Sequence, residues 1–139
     1  MIYTHLMVTI VERPQEPSEF CASMSEAEDN RARELLERVS AKWPLGVLQV
    51  LAEAGAPLRF SRLMERVDGI SQKMLTQTLR MLEADRLVTR TLYPQVPPRV
   101  DYELTPLGRE LLLQILPFWR WIVQNLPAFD ADETTKAAE

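Results

Sequence analysis

Residues 69–109 read GISQKMLTQTLRMLEADRLVTRTLYPQVPPRVDYELTPLGR, and this stretch decides the fold. After Ser71 the apolar residues recur every three or four positions, which predicts a helix that starts near Gln72 with Ser71 as its N-cap. The opposite face carries no carboxylate and consists of Gln72, Lys73, Thr76, Gln77 and Arg80. Such side chains donate to phosphates or read base edges in a DNA major groove, although an ordinary solvated face has a similar composition.

Two short strands follow this helix. Residues 87–92 favour a strand, and residues 100–104 alternate apolar and polar side chains. The three prolines between positions 94 and 98 exclude a continuous ladder, so the pattern predicts a hairpin with a projecting tip that carries Arg99. Thr105-Pro106 then predicts the N-cap and first residue of another helix. Helix, hairpin and helix in this order are typical of a winged helix-turn-helix, a mainly α fold with a small β-hairpin (α+β).

The same residues resemble the HxlR-type winged-helix transcription regulators. The resemblance covers roughly residues 35–121, and its most specific strings are ISQKML at 70–75 and PPRVDYELT at 97–105. Upstream, Lys42-Trp43 and Arg59-Phe60 stand where that family has a Lys-Trp and an Arg-Phe pair. The resemblance implies a dimeric regulator of double-stranded DNA, with the helix at 72–84 in the major groove and the wing at 93–100 on the flanking DNA.

One position departs from the family pattern. Arg86 stands where the family normally has a glycine, at the end of the predicted recognition helix. A left-handed residue there terminates a helix, and arginine in that conformation costs roughly 1 kcal/mol. We therefore expect either this cost or a rearranged helix end.

Three shorter helices are predicted ahead of this stretch. Ser25 and Glu28 form a capping-box pattern that opens a helix reaching about Val39. Pro44 starts a second helix that is apolar nearly all round and therefore buried. Ser61 caps a third, over residues 62–67, which completes the helix-turn-helix pair. The predicted DNA-binding residues are Arg59, Arg62, Ser71, Gln72, Lys73, Thr76, Gln77, Arg80 and Arg99.

The last predicted helix, over residues 106–125, has more large apolar groups than one small domain covers from one side. The surplus predicts a homodimer interface, unless residues 1–10 of the same chain cover it. The predicted interface residues are Leu35, Leu36, Leu112, Ile115, Phe118, Trp119 and Ile122. The predicted organisation is an N-terminal arm (1–24), a winged helix-turn-helix domain with dimerisation helices (25–126) and a disordered tail (127–139).

The charge is uneven along the chain. The net charge is −4, but residues 57–109 contain nine basic and six acidic residues, which places a basic unit between acidic arms. The negative total keeps open the alternative of a winged helix that binds only proteins. Neither a membrane span nor a signal peptide is evident, so we expect a cytoplasmic protein without a membrane partner, and its small-molecule effector is unknown.

Enzymatic chemistry lacks its usual parts. The chain has one histidine and one cysteine, and it has no glycine-rich phosphate loop, H-E-x-x-H or C-x-x-C string. We therefore predict no catalytic site, no metal site and no cofactor, and His5 is interpreted as a surface or packing residue. Cys21 is a possible redox sensor, because some members of the resembled family sense oxidants through a cysteine near the N-terminus. An inert thiol is the alternative, since Cys21 lies farther from Lys42-Trp43 than that cysteine usually does.

Overall fold

The computed structural model describes residues 17–137, with side-chain surroundings for residues 19–131. The described chain separates into two compact units, which are divided between Val39 and Ser40. This boundary differs from the predicted division after residue 24, because the helix that ends at Val39 belongs to the first unit. The strand considered for residues 1–10 and the role of His5 lie outside the described residues.

The first unit contains two helices, α1 (Pro17–Ser23) and α2 (Glu26–Val39). The capping box of α2 is confirmed: the Ser25 N–H donates to Glu28 Oε2 at 2.9 Å, and the Glu28 N–H donates to Ser25 Oγ at 3.2 Å. The hydrogen bond from the Ser25 backbone N–H, and to a smaller extent one from the Ser25 side chain, lower the pKa of the Glu28 carboxyl. Helix α1 was not predicted, although a proline at its first position and Glu19 in its first turn are N-terminal helix signals.

The second unit holds the remaining elements in a winged helix-turn-helix order. They are α3 (Lys42–Ala54), β1 (Leu58–Arg59), α4 (Phe60–Arg66), α5 (Gln72–Ala84), β2 (Val88–Tyr93), β3 (Arg99–Leu104) and α6 (Pro106–Ala137). The strands form one antiparallel sheet in the order β1-β3-β2. The predicted hairpin is confirmed and gains β1, which pairs Leu58 with Tyr102 and Arg59 with Asp101.

Helix α5 agrees with its prediction in start, cap and buried face. The Met74 N–H donates to Ser71 Oγ at 3.1 Å, and Gly69 makes the preceding turn with φ at +80°. Four residues of its apolar face are buried: Leu75, Thr78, Leu79 and Leu82. They join a core to which α3 contributes Val47, Leu48 and Leu51 and α4 contributes Leu63. Because one face of α5 is held in the core, its opposite face has a fixed direction.

Three predicted helix ends are wrong. Helix α3 begins at Lys42 rather than Pro44. Helix α4 begins at Phe60 with Arg59 as N-cap, so Ser61 is not the cap, because β1 delivers Arg59 in an extended conformation directly into the helix. Helix α6 continues to Ala137 through Pro127. The segment at 128–137 lacks glycine and contains several good helix formers, which explains why the helix does not stop at the proline.

Arg86 keeps the left-handed conformation, with φ at 61°. The end of α5 is therefore built as a glycine would build it. The Arg86 N–H donates to the Glu83 carbonyl at 3.0 Å and the Leu87 N–H to the Leu82 carbonyl at 2.9 Å. The Arg86 carbonyl accepts from Thr105 Oγ1 at 2.8 Å, which ties the end of α5 to the start of α6.

We expect the substitution Arg86→Gly to raise the free energy of unfolding by about 0.5–1 kcal/mol, because glycine adopts this conformation without a Cβ penalty. Denaturant unfolding monitored by circular dichroism measures the change. Arg86→Ala is the matched control, since alanine removes the same charge but retains the Cβ. An Arg86→Gly protein no more stable than Arg86→Ala would contradict the explanation.

Candidate nucleic-acid interface

Five residues of α5 line one open groove of about 580 Å³. They are the five predicted from the sequence, Gln72, Lys73, Thr76, Gln77 and Arg80, and we call this set the reading groove. Thr76 Oγ1 donates to the Gln72 carbonyl at 2.9 Å, so its hydroxyl proton is engaged within the helix. The carboxamides of Gln72 and Gln77 are exposed and are better placed to read base edges. Ser71 Oγ serves as the N-cap acceptor rather than in the groove.

A second cleft, of about 540 Å³, lies between α5 and the sheet. We call it the helix–sheet cleft; it shares Gln72, Thr76 and Arg80 with the reading groove and adds Arg90 and Tyr102. The rest of its lining is Phe60, Leu79, Glu83 and Val100. Sequence reasoning missed Arg90. The alternation of side chains along β2 assigns Arg90 to one of the two faces of the sheet but does not identify its neighbours. Only the β2–β3 register shows that Arg90 pairs with Tyr102.

A third cleft, of about 410 Å³, contains the other predicted cations. This wing-base cleft is lined by Arg59, Arg62, Arg99 and Asp101, with Pro57, Leu58 and Ser61 completing it. Val100 and Tyr102 of β3 line the helix–sheet cleft, whereas Arg99 and Asp101 line this one. Because successive side chains of a strand point to opposite faces, the predicted DNA-binding arginines are divided between two faces of the sheet.

The sequence predicted that Arg99 lies at the hairpin tip, and this prediction is wrong. It opens β3 opposite Tyr93, and its guanidinium lies over the Tyr93 ring at 5.0 Å from the centroid. Arg99 Nε donates to Asp101 Oδ1 at 3.0 Å, and Nη2 donates to Oδ2 at 2.8 Å. The tip itself is residues 94–98, all exposed. The prediction failed because the sequence places Arg99 next to the prolines but does not show which way its side chain folds.

Asp101 is the partner that sequence reasoning did not find. It is only 4% exposed, although it lies in a narrow sheet. The hydrogen bonds from Arg99 lower the pKa of the Asp101 carboxyl, desolvation opposes them, and the charges of Arg99 and Arg59 lower the pKa further. Its bidentate pairing with Arg99 satisfies a carboxylate that burial alone would disfavour.

The depressed pKa of Asp101 predicts a contribution to acid sensitivity. A carboxyl with a lower pKa in the folded state stabilises the fold above its unfolded pKa of about 3.9, and this contribution is lost as the pH falls through the folded value. We expect thermal melts between pH 6 and pH 2 to show wild-type protein more stable than Asp101→Asn at pH 6, with the difference shrinking below about pH 4. A difference that stays constant over this range would contradict the assignment.

The predicted interface residues differ in exposure. Leu36, Phe118 and Trp119 are 59%, 62% and 52% exposed, and Leu35 is 37% exposed. Ile115 and Ile122 are half-buried. Leu112 is a wrong prediction, because it is 3% exposed and belongs to the core of its own unit. A helix that is apolar all round does not reveal from sequence which of its leucines faces inward.

Cys21 is exposed on α1. On α2, Arg33 donates to Asp29 at 2.8 Å. This hydrogen bond makes the largest contribution to raising the pKa of Arg33, and Cys21 makes the smallest. Over residues 17–137 no helix is long and apolar enough to cross a membrane. The same residues contain no group of three or more His, Cys, Asp or Glu side chains suited to a metal ion.

Comparison with known proteins decides the family. Residues 38–130 match the model of the HxlR-like helix-turn-helix family. The chain belongs to this family. The HxlR-like chain is 41% identical to the uncharacterised HTH-type transcriptional regulator YtfH of Escherichia coli (strain K12) over 112 residues, which cover 81% of the chain and 87% of that protein. Family and relatives make it a DNA-binding transcriptional regulator, as the sequence resemblance predicted.

Solved structures agree with this assignment. The putative transcriptional regulator ytfH from Salmonella typhimurium superposes with a TM-score of 0.62 at 39% identity, over 74% of the HxlR-like chain and 90% of that chain. The redox regulator HypR in its reduced form gives a TM-score of 0.62 at 33% identity, over 73% and 98% of the two chains. The winged-helix architecture is therefore shared with known regulators.

Proposed function

We propose that the HxlR-like chain acts as a homodimer that reads a near-palindromic operator, with α5 in the major groove and the wing on the flanking DNA. The reading groove is the observation that supports this most. Its five side chains include two exposed carboxamides and two cations and no acid, and they lie opposite a face of α5 that the core holds rigidly. This combination suits base recognition in a major groove.

We assign the helix–sheet cleft to the sugar-phosphate strand that borders the major groove. Arg80 of α5 and Arg90 of β2 both line it. A DNA strand in the cleft would therefore contact cations from the helix and from the sheet. Glu83 lines it as well, which leaves one net positive charge among its ionisable residues. Arg90 is therefore added to the proposed DNA-binding residues, and Ser71 is retained as the cap that fixes the start of α5.

The dimer is proposed through α6. Eight of the sixteen exposed large apolar side chains in the described part of the chain lie on this helix beyond its first turn, far more than a monomeric surface usually leaves in contact with water. In the other unit, Leu35 and Leu36 of α2 are exposed as well. A two-fold pairing of two copies would bury such a surface and place two α5 helices about one DNA turn apart. Coverage by residues 1–10 of the same chain is the alternative.

The substitution Trp119→Asp tests the dimer. Trp119 is 52% exposed, and burying a new carboxylate in an interface without a partner is unfavourable, so we expect the dimer dissociation constant to rise by roughly thirtyfold or more. Sedimentation equilibrium measures the mass relative to the 16.0 kDa chain. Leu107→Asp is the matched control, because Leu107 is equally exposed at 52% but lies in the first turn of α6, where an acid is tolerated. A wild-type protein that sediments as a monomer would contradict the proposal.

Cys21 supports a second, separate proposal, that an oxidant switches the regulator. The thiol is exposed on α1, where an oxidant in solution can reach it. HypR, which shares the fold, is described as a redox regulator. Operator binding measured with and without a mild oxidant, on wild-type protein and Cys21→Ser, distinguishes the sensor from an inert thiol, for which both proteins respond alike.

The remaining assignments follow from the regulator role. Bacterial proteins that bind chromosomal DNA act in the cytoplasm, and we propose this location for the HxlR-like chain. We also propose that it has no enzymatic activity. A winged helix that binds only proteins would show no DNA affinity and a salt-insensitive complex, whereas phosphate contacts make the proposed complex weaken steeply with salt. Anisotropy titrations of labelled DNA at two salt concentrations test this. Binding that is absent at both would overturn the proposed function.

A further inference from the structure

The Arg99–Asp101 pair is unusual for its place in the sheet. Asp101 is on β3, the central strand, and its side chain is 5% exposed, whereas that of Arg99 is 38% exposed. A buried carboxylate in so small a sheet is costly unless it is paired, and an apolar residue often serves stability equally well. Stability alone therefore gives no strong reason for an aspartate at this position.

The pair controls the direction of Arg99. Both Asp101 oxygens accept, one from Nε and one from Nη2, which fixes the plane of the guanidinium. This geometry leaves Nη1 outside the pair, and Arg99 lines the same cleft as Arg59 and Arg62. Asp101 also attracts Arg59, because the Arg59 charge contributes to lowering the pKa of the Asp101 carboxyl. One buried acid thus orients Arg99 and interacts with a second cation.

The same pair sets the base of the wing. Arg99 and Tyr93 face each other across the last pair of the hairpin, and the guanidinium packs over the Tyr93 ring. Only the exposed residues 94–98 lie beyond them. Whatever holds Arg99 therefore also holds the two strands from which the tip projects.

We propose that Asp101 is a positioning residue for DNA binding, which holds Arg99 and the wing in the conformation that contacts the flanking phosphates. The proposal rests on the proposed function, because it concerns how the same DNA surface is organised. This role and the negative charge of Asp101 predict opposite changes in DNA affinity when the residue is replaced. Removing an acid near DNA should strengthen binding by Coulomb attraction, whereas removing a positioning acid should weaken it.

The test compares Asp101→Asn with Glu103→Gln. Glu103 lies two residues further along β3, on the same face, and is exposed, so its replacement removes one negative charge without affecting the Arg99 pair. We expect Asp101→Asn to lower the affinity for DNA that includes the sequences flanking the operator by roughly tenfold, as for loss of a hydrogen bond to a charged group. We expect Glu103→Gln to leave this affinity unchanged or to raise it slightly. Asp101→Asn binding as tightly as Glu103→Gln, or tighter, overturns the proposal.

A second variant keeps the test valid if Asp101→Asn folds poorly. Arg99→Lys retains the charge and the exposed position but lacks the fork that both Asp101 oxygens bind. We expect it to lower the affinity severalfold and to leave the salt dependence close to wild type, because the number of cations is unchanged. Unaltered affinity in Arg99→Lys also overturns the proposal. Failure of the wild-type protein to bind DNA is a different result, since it rejects the proposed function itself.

Discussion

Alanine at Gln72 or Gln77 is expected to remove sequence discrimination while preserving general DNA affinity. A carboxamide that reads a base edge through two hydrogen bonds contributes about 1–3 kcal/mol of discrimination, so each substitution should lower operator affinity by about 5- to 150-fold. Both side chains are uncharged and exposed in the reading groove, so the salt-dependent phosphate term stays intact. Anisotropy titrations against the operator and a scrambled duplex measure the two affinities separately.

Thr76→Val tests the third uncharged side chain of the reading groove. The Thr76 hydroxyl already donates to the Gln72 carbonyl, and valine retains a methyl at the same place, so we expect a smaller loss of operator affinity than for Gln72→Ala or Gln77→Ala. Arg80→Ala and Arg90→Ala should instead weaken binding to operator and scrambled DNA alike. Each should reduce the slope of the logarithm of affinity against the logarithm of salt concentration by about one. If Gln72→Ala and Gln77→Ala lowered both affinities equally, α5 would not be the element that reads the bases.

Gly108→Ala is expected to cause the largest loss of stability, about 2 kcal/mol. Gly108 is buried in the first turns of α6, and a Cβ built there would collide with the Leu87 carbonyl oxygen and lie 2.8 Å from Leu104 Cδ1. That carbonyl also accepts from the Thr105 N–H at 3.0 Å, so the backbone cannot retreat without losing this bond. The helix propensity of alanine offsets only about 1 kcal/mol of the clash.

Gly46→Ala provides the control of opposite sign. Gly46 is also helical, but a Cβ there would meet only Val67 Cγ1, at an ordinary 3.9 Å. We expect this substitution to stabilise the protein by about 0.5–1 kcal/mol. Urea unfolding of both variants measures the pair. A Gly108→Ala protein as stable as wild type would show that α6 does not pack against Leu87 and Leu104 as described.

Local signals in the sequence predicted those parts of the fold that depend on near neighbours. Ser25, Ser71 and Thr105 were each predicted to be N-caps. The side-chain oxygen of each accepts a hydrogen bond from the backbone N–H three residues later. The reading groove was predicted in full, because a helical period fixes which side chains share a face once the apolar face is known. Helix ends were less predictable, since β1 displaced the start of α4 and Pro127 did not stop α6.

Contacts between strands were not predictable from the sequence. Arg90 was missed because its place beside α5 depends on its pairing with Tyr102, and Arg99 was placed at the tip because its partner Asp101 was not suspected. Leu112 was assigned to the dimer surface although it is buried, because α6 is apolar on several sides. In each case the missing information was register or direction, which depends on residues distant in the chain.

The most direct test of the central claim, that α5 reads a specific operator, is selection of genomic DNA fragments by the purified wild-type protein. We predict enrichment of a near-palindromic motif whose half-sites are about one helical turn apart, and loss of that motif in Gln77→Ala with fragment binding retained. Recovery of no motif, even at low salt where phosphate contacts are strongest, would contradict the account.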